Sequence, residues 1–422
     1  MKFPNSIVFR NFIYLFANQF FNLIIPLLVF PFLVKTLGLA YFGLYSLAYA
    51  GIIFCFMLCD YGFNFSGSKY IAIHRNDIVK RDTAFSTILS IKIAFAFVVS
   101  IVWALYIFCN PQFEDFTLFA LLFTGMIFGN AINIQWFFQG LEKLGWFSTI
   151  NSAIKLASNV AILFLIKSPN DIYLIPLIYS FAFLLSGIIT ILMAIYRMKV
   201  KIRFFSFEGF RDFLRQGFDY FITISTTSLV FNGTIIILSF FEKSILIIGA
   251  FSAMDRIIKI LVSVYIPYST AIYPRNMSNF QISQEAGTRS VVKYGGIALI
   301  FAFISILLIM LCAKEILHFL DPELVVYSIW MQVFSLWLFF IILNNLIGYH
   351  FMNGLEKSSV FRNINIIYTA VTLVLMVSGC MFYSFRGCIV AVLSGEILLT
   401  GMLVLSIRNH SKDIARVLFN AK

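Results

Sequence analysis

Apolar runs of helical-span length, separated by charged or Pro/Gly/Asn-rich breaks, recur from residue 12 to residue 407. A helix that satisfies its own backbone hydrogen bonds needs about 20 apolar residues to cross about 30 Å of hydrocarbon, so each run predicts one membrane span. Twelve result, near 12–34, 42–63, 84–108, 116–138, 148–167, 173–196, 217–240, 245–269, 294–313, 326–349, 359–382 and 387–407. Lys2 and Arg10 precede the first run as they would a signal peptide. The run is too long for one and no small-residue cleavage site follows, so it is expected to remain in the mature chain.

Composition agrees with that pattern. Of 422 residues, 61% are apolar and 12% charged, about half the charge of an average soluble domain. A disordered chain, a collagen and a disulfide-rich secreted scaffold are excluded. The six cysteines (55, 59, 109, 312, 380 and 388) form no C-x-x-C pair, so metal or redox chemistry has no support and buried free thiols are expected. With the N-terminus inside, 22 Lys and Arg fall in cytoplasmic segments; the five outside are Lys35, Lys167, Lys243, Lys314 and Arg386. Basic residues resist translocation, so both termini are expected in the cytoplasm. The net charge of +12 follows from this asymmetry, and no nucleic-acid partner is expected because the basic residues are spread over short loops beside apolar spans. There is no phosphate-holding G-x-x-x-x-G-K-[ST] loop. The short predicted outer connections disfavour an enzyme that polymerises sugars on a large external loop.

The chain repeats itself. W-F-F-Q-G-L-E-K at 136–143, after span 4, matches H-F-M-N-G-L-E-K at 350–357, after span 10. F-G-L-Y-S at 42–46 answers I-G-A-F-S at 248–252 more weakly, at the starts of spans 2 and 8. The expected organisation is a six-helix lobe over 1–205, a linker helix over 206–216, a second six-helix lobe over 217–407 and a cytoplasmic tail over 408–422. An even number of spans per half puts the pseudo-twofold axis along the membrane normal, with the lobes facing each other across a cleft suited to rocking. In the linker, Phe207, Phe210, Phe213 and Leu214 form one stripe, predicting a helix flat on the inner leaflet with Ser206 as its cap. The tail from Ser411 to Lys422 could do likewise through Ile414, Val417 and Leu418.

Eight charged side chains fall inside the spans: Lys92, Lys155, Arg256, Lys259, Asp60, Asp219, Asp255 and Glu396. Each costs about 2.5 to 3.5 kcal/mol at mid-bilayer, so such residues face the interior, pair, or serve function. Asp219, one turn from Arg215, reads as an interfacial ion pair. Lys92 and Lys155 lie about 10 to 12 Å deep, which leaves a cavity-facing role and snorkelling both open. Asp255 and Lys259, at i and i+4, can neutralise each other, leaving Arg256 uncompensated as the leading functional candidate. Asp60, Asp255 and Glu396 are candidates for carrying a coupling ion, H+ or Na+, with Glu396 equally able to serve as counter-ion of Arg256. The intramembrane amides, Asn18, Gln19, Asn22, Asn130, Asn133, Gln135, Asn159, Asn232, Asn344 and Asn345, should point into the bundle as interhelical hydrogen bonds or sugar ligands. Gly140, Glu142 and Lys143, with Gly354, Glu356 and Lys357, sit at the cytoplasmic mouth; turn and interlobe contacts are the first reading and substrate ligation the alternative.

L-V-K-T-L-G-L-A-Y-F-G-L-Y-S at 33–46, D-Y-G-F-N at 60–64 and W-F-F-Q-G-L-E-K at 136–143 resemble the polysaccharide-transporter family, specifically the O-antigen repeat-unit flippases (Wzx type) of the multidrug/oligosaccharidyl-lipid/polysaccharide (MOP) exporter superfamily. Capsule, exopolysaccharide and other lipid-linked oligosaccharide flippases share these motifs. The resemblance implies an all-α integral membrane protein of MATE-like, twelve-helix, two-bundle fold in the bacterial inner membrane. It also implies translocation, without catalysis, of an undecaprenyl-pyrophosphate-linked oligosaccharide to the outer leaflet by ion-coupled alternating access. Membrane lipids, a polysaccharide polymerase and a chain-length regulator are the partners it suggests. A cationic cleft of Arg256, Lys92, Lys155 and Lys259 would suit the anionic pyrophosphate. A drug/cation antiporter would want a net acidic cleft, whereas the intramembrane charges here balance, four against four.

Overall fold

The structure is a computed structural model; it describes residues 6–203 and 207–410, with side chains described for 28–203 and 209–408. All regular elements among these residues are helical. Along the first half run α1 (Ser6–Asp60), α2 (Phe63–Ile73), α3 (Ile78–Cys109), α4 (Thr117–Leu121), α5 (Thr124–Ala131), α6 (Gln135–Gly140), α7 (Leu144–Leu165) and α8 (Leu174–Tyr196). Then follow α9 (Phe207–Phe241), α10 (Ile245–Ile282), α11 (Gln284–Leu320), α12 (Ser328–Asn345), a π-helical segment (Leu346–Met352) and α13 (Ser358–His410). Nine helices among the described residues are long and apolar enough to cross a membrane.

Two of the eleven predicted breaks between spans take an unusual form. α1 carries what the sequence separates as spans 1 and 2, broken only at Gly38 (φ 74, ψ 168), a backbone region open essentially to glycine. α13 likewise turns at Ser384 (φ 53, ψ −139), whose hydroxyl donates to the Glu242 carboxylate at the end of α9. Predicted span 4 is instead three pieces, α4, α5 and α6. At the junction of α2 and α3, Asp77 accepts a hydrogen bond from the Lys80 N–H at 3.1 Å, which holds its carboxyl below the usual carboxylate range.

The chain divides into two compact units, Met1–Ser228 and Leu229–Lys422. In the first, Phe63, Phe85, Trp136, Phe137 and Phe138 form the buried core near the α2, α3 and α6 ends. The linker stripe joins that core: Phe213 is buried and its ring meets Tyr70 at 5.0 Å. Phe210 and Leu214 pack alongside. The segment expected as a separate interfacial helix at 206–216 is, from Phe207 on, the start of α9, continuous with the predicted seventh span, and Phe210, Phe213 and Leu214 of its stripe pack against protein. Gly62 (φ 78) and Gly217 allow the approach, since a Cβ on Gly62 would lie 2.9 Å from the Gly217 carbonyl oxygen. The Ser206 cap and the tail helix at 411–422 lie outside the described residues.

In the second unit α10, α11, α12 and α13 pack in sequence. Of the six free cysteines, 55, 59, 380 and 388 are buried as expected, whereas Cys109 and Cys312 are exposed.

Candidate functional site

The repeated G-L-E-K motif has the same local geometry twice. Glu142 (φ 58) and Glu356 (φ 60) both adopt the left-handed conformation. The Lys143 N–H donates to the Phe138 carbonyl and the Lys357 N–H to the Met352 carbonyl, each at 2.9 Å. Both are Schellman caps, which satisfy the last carbonyls of a helix through a left-handed residue. Gly140 and Gly354 let each cap press on its neighbour; a Cβ on Gly140 would meet Ile71 and one on Gly354 the ring of Phe280. Glu142 also pairs with Arg75 at 3.2 Å, both side chains exposed. The motif is thus a turn that locks adjacent helix ends within each unit. The weaker match is structural too: Phe42 and Ile248 each stand four residues after a break, at Gly38 and Ser244.

Seven of the eight intramembrane charges fall into three groups. In the first unit, Lys92 is 2% exposed, 2.9 Å from Asp60 and 3.0 Å from the Asn133 carbonyl oxygen. The break between α5 and α6 leaves that carbonyl without a helical partner, and the lysine supplies one. Neither a free cavity-facing cation nor snorkelling describes Lys92, whose charge is closed off inside the protein. Lys155 differs. It is exposed on α7 in a polar stripe with Asn151, Ser152 and Asn159, and no carboxylate lies within ion-pair distance among the described residues.

The third group lies in the second unit. Lys259 pairs with Asp255 at 2.6 Å, as the i, i+4 spacing predicts, and its ammonium lies 4.9 Å from the Phe231 ring centre. Phe231 in turn meets Trp337 at 5.6 Å, and the Trp337 indole N–H donates to Glu396. Glu396 is buried and accepts further hydrogen bonds from Asn344 Nδ2 at 2.6 Å and the Tyr368 hydroxyl at 2.9 Å. Asp255, Lys259, Phe231, Trp337 and Glu396 thus form one connected cluster drawn from α9, α10, α12 and α13. Arg256, half-buried beside it, is itself engaged, which corrects its reading as an uncompensated cation. Among the described residues Glu396 has no basic partner within ion-pair distance, so three neutral donors hold it in place of Arg256.

Sequence reasoning missed Trp337 and Tyr368, because nothing in one dimension marks which aromatic of many turns toward a given carboxylate. Of the amides, Asn344 and Asn345 point into the bundle, and Asn159 accepts from the Tyr179 hydroxyl at 3.4 Å. Asn130 is buried. The side chains of Asn18, Gln19 and Asn22 lie outside the described residues.

An all-helical, multi-pass chain with charged clusters held inside apolar bundles has the make-up of a membrane carrier. Its fold matches that of the lipid II flippase MurJ in an inward closed conformation with a TM-score of 0.74, at 15% identity and over 98% of this chain and 90% of that one. An inward-facing MATE-family multidrug resistance transporter of the MOP superfamily gives 0.69, at 13% identity and over 96% of each chain. Residues 8–281 match the family described as "Polysaccharide biosynthesis protein", and the chain belongs to that family. It is 27% identical over 403 residues to the "Putative O-antigen transporter" of Escherichia coli (strain K12), covering 95% of this chain and 97% of that protein. The protein of the same name from Shigella dysenteriae is 24% identical over 268 residues, covering 63% and 66%.

Proposed function

We propose that this protein is a flippase that carries a polyprenyl-pyrophosphate-linked oligosaccharide, the O-antigen repeat-unit class, from the cytoplasmic to the outer leaflet of a bacterial inner membrane. The near full-length similarity to the Escherichia coli protein named for O-antigen transport carries this reading. The shared fold with a lipid II flippase supports it, since that protein by name also moves a lipid. Transport rather than catalysis is the activity for which these relatives are named.

The mechanism is alternating access between two six-span halves with both termini cytoplasmic. Dividing α1 at Gly38 and α13 at Ser384, and counting the charged α10 as a span, brings the nine apolar candidates to twelve. The twin caps at Glu142 and Glu356 support the repeat. In the first unit Lys155 meets the pyrophosphate, with Asn151 and Asn159 beside it to bind hydroxyls; in the second unit Arg256 is a separate candidate cation for the same substrate class. Lys92 and Lys259 serve structure through their ion pairs. Glu396 carries the coupling ion, H+ or Na+, because it is buried with no basic side chain within ion-pair distance among the described residues. A polymerase and a chain-length regulator act on what it delivers.

The test is deletion in the native host followed by complementation. Loss of surface polysaccharide with accumulation of lipid-linked single repeat units is the expected result. Loss of chain length alone would assign the protein to polymerisation and overturn the proposal.

A further inference from the structure

α10 and α11 meet at Ser283, which caps α11 by accepting the Ala286 N–H at 3.0 Å. The predicted eighth span ends near 269 and the ninth begins near 294, so residues 270–293 form a polar hairpin on the side that the basic residues mark as cytoplasmic. Between its arms lies a cleft of about 360 Å³, lined by Arg275 from α10 and by Arg289, Lys293 and Tyr294 from α11. Asn279 and Ser290, hydrogen-bonded at 2.9 Å, tie the two arms together within it.

The cations of this cleft outnumber its carboxylates. Glu285 is the one acidic residue in the lining, and Arg289 takes it up at 3.3 Å. Arg275 and Lys293 have no carboxylate within ion-pair distance among the described residues. Both lie against Tyr294 instead, 5.0 and 5.9 Å from the ring centre. A cation attracted to an aromatic face keeps N–H groups available for an acceptor on its other side. The first unit handles its basic residues differently. Around the α2–α3 junction Arg75 meets Glu142, Lys80 meets Asp77 and Arg81 meets Asp82, at 3.2, 3.7 and 2.8 Å. Basic residues at a helix junction therefore do not by themselves leave an open cationic cleft, and the second copy has one.

The cleft also opens next to apolar surface. On α11, Ile297 and Ile300 are exposed and stand four and seven residues past Lys293, about 6 to 10 Å further along the helix. An amphiphile with its phosphate in the cleft can lay its chains along these side chains, which a soluble anion has no use for. Basic pockets between spanning helices on the cytoplasmic side suit anionic lipid headgroups.

We infer that the α10–α11 cleft binds the phosphate of an anionic glycerophospholipid of the inner leaflet. The Arg275 guanidinium donates to the phosphate oxygens, the Lys293 ammonium supplies a point charge, and the acyl chains run past Ile297 and Ile300. Three cations against one carboxylate disfavour a zwitterionic headgroup, whose ammonium meets a net positive field. The inference rests on the chain being embedded in a membrane and not on what it carries.

The experiment titrates the full chain, delipidated in detergent, with phosphatidylglycerol or phosphatidylethanolamine and counts bound lipids by native mass spectrometry. Arg275→Gln and Lys293→Gln should each weaken the tightest phosphatidylglycerol site about fivefold, and the double variant about twenty-five-fold, the effect of one and two cations near a lipid surface. Arg75→Gln/Lys80→Gln removes two cations already held by carboxylates and should leave that site unchanged. Phosphatidylethanolamine should not compete for it. Equal weakening in the two double variants, or equal retention of phosphatidylethanolamine, would reduce the cleft to ordinary surface charge and overturn the inference. Lys293→Arg keeps the charge and should restore binding; a loss as great as in Lys293→Gln would also overturn it. Inorganic phosphate and polyprenyl pyrophosphate are the other phosphate sources. If either occupies the site at a lower concentration than phosphatidylglycerol does, the cleft belongs to free phosphate or to the carrier lipid and the assignment to a glycerophospholipid falls.

Discussion

The Lys92–Asp60 pair gives a prediction in which the two single substitutions should differ. The partners are 2.9 Å apart, but Lys92 is 2% exposed and Asp60 26%. Removing one member of a buried pair costs about 3 to 5 kcal/mol, because the other charge is left without compensation. Asp60→Asn orphans the more deeply buried ammonium, which retains only carbonyl-type acceptors, so the full penalty of about 3 to 5 kcal/mol applies. Lys92→Met orphans a carboxylate that water partly reaches, together with the Asn133 carbonyl; about 2 to 3 kcal/mol is expected, mostly desolvation. The double variant removes both charges and should be more stable than Asp60→Asn alone, with a coupling energy of about 2 kcal/mol or more. Reversible unfolding in mixed micelles, followed by tryptophan fluorescence, measures all four corners of the cycle. The exposed Arg289–Glu285 pair, 3.3 Å apart, is the control, and Arg289→Gln should leave stability unchanged. Additive costs at 60 and 92, or Lys92→Met as the worse single, would refute the reasoning.

Replacing Glu356 by Gly should raise stability by about 0.5 kcal/mol, because the left-handed penalty of about 1 to 2 kcal/mol outweighs the entropy lost to glycine; a lower melting temperature would show that the carboxylate is needed there. Glu142→Gly should gain less, since it also loses the Arg75 pair. Glu396→Ala leaves the Trp337, Asn344 and Tyr368 donors around a void and should destabilise by about 2 to 5 kcal/mol. Glu396→Gln should instead keep the fold and lower translocation; flipping at the unmodified rate would remove Glu396 from coupling. Lys155→Gln and Arg256→Gln should each reduce surface polysaccharide at unchanged protein level, with partial recovery in Lys155→Arg and Arg256→Lys. An unmodified polysaccharide ladder in either Gln variant would take that residue out of substrate binding.

Much of this protein follows from properties that add along one dimension. Apolar run length, set against a hydrocarbon slab of fixed thickness, located the nine candidate spanning helices among the described residues, and the predicted breaks near 35–41 and 383–386 coincide with Gly38 and Ser384. The G-L-E-K repeat was legible because charged residues are rare in this chain, and its geometry is local, so both copies adopt the same cap. The Asp255–Lys259 pair was legible for the same reason, lying one helical turn apart. Contacts between helices were not. Whether Lys92 meets Asp60 or a cavity, and whether Glu396 turns to Arg256 or to Asn344, Trp337 and Tyr368, depends on how each helix is rotated about its axis. That rotation is settled by side-chain packing summed over all neighbours, and a change of one residue turns a side chain by about 100°, from core to lipid. His350 was visible as the partner of Trp136 in the repeat, but its hydrogen bonds to Ser269 and Asn276 come from α10, 81 and 74 residues away along the chain, and form only when the bundle is assembled.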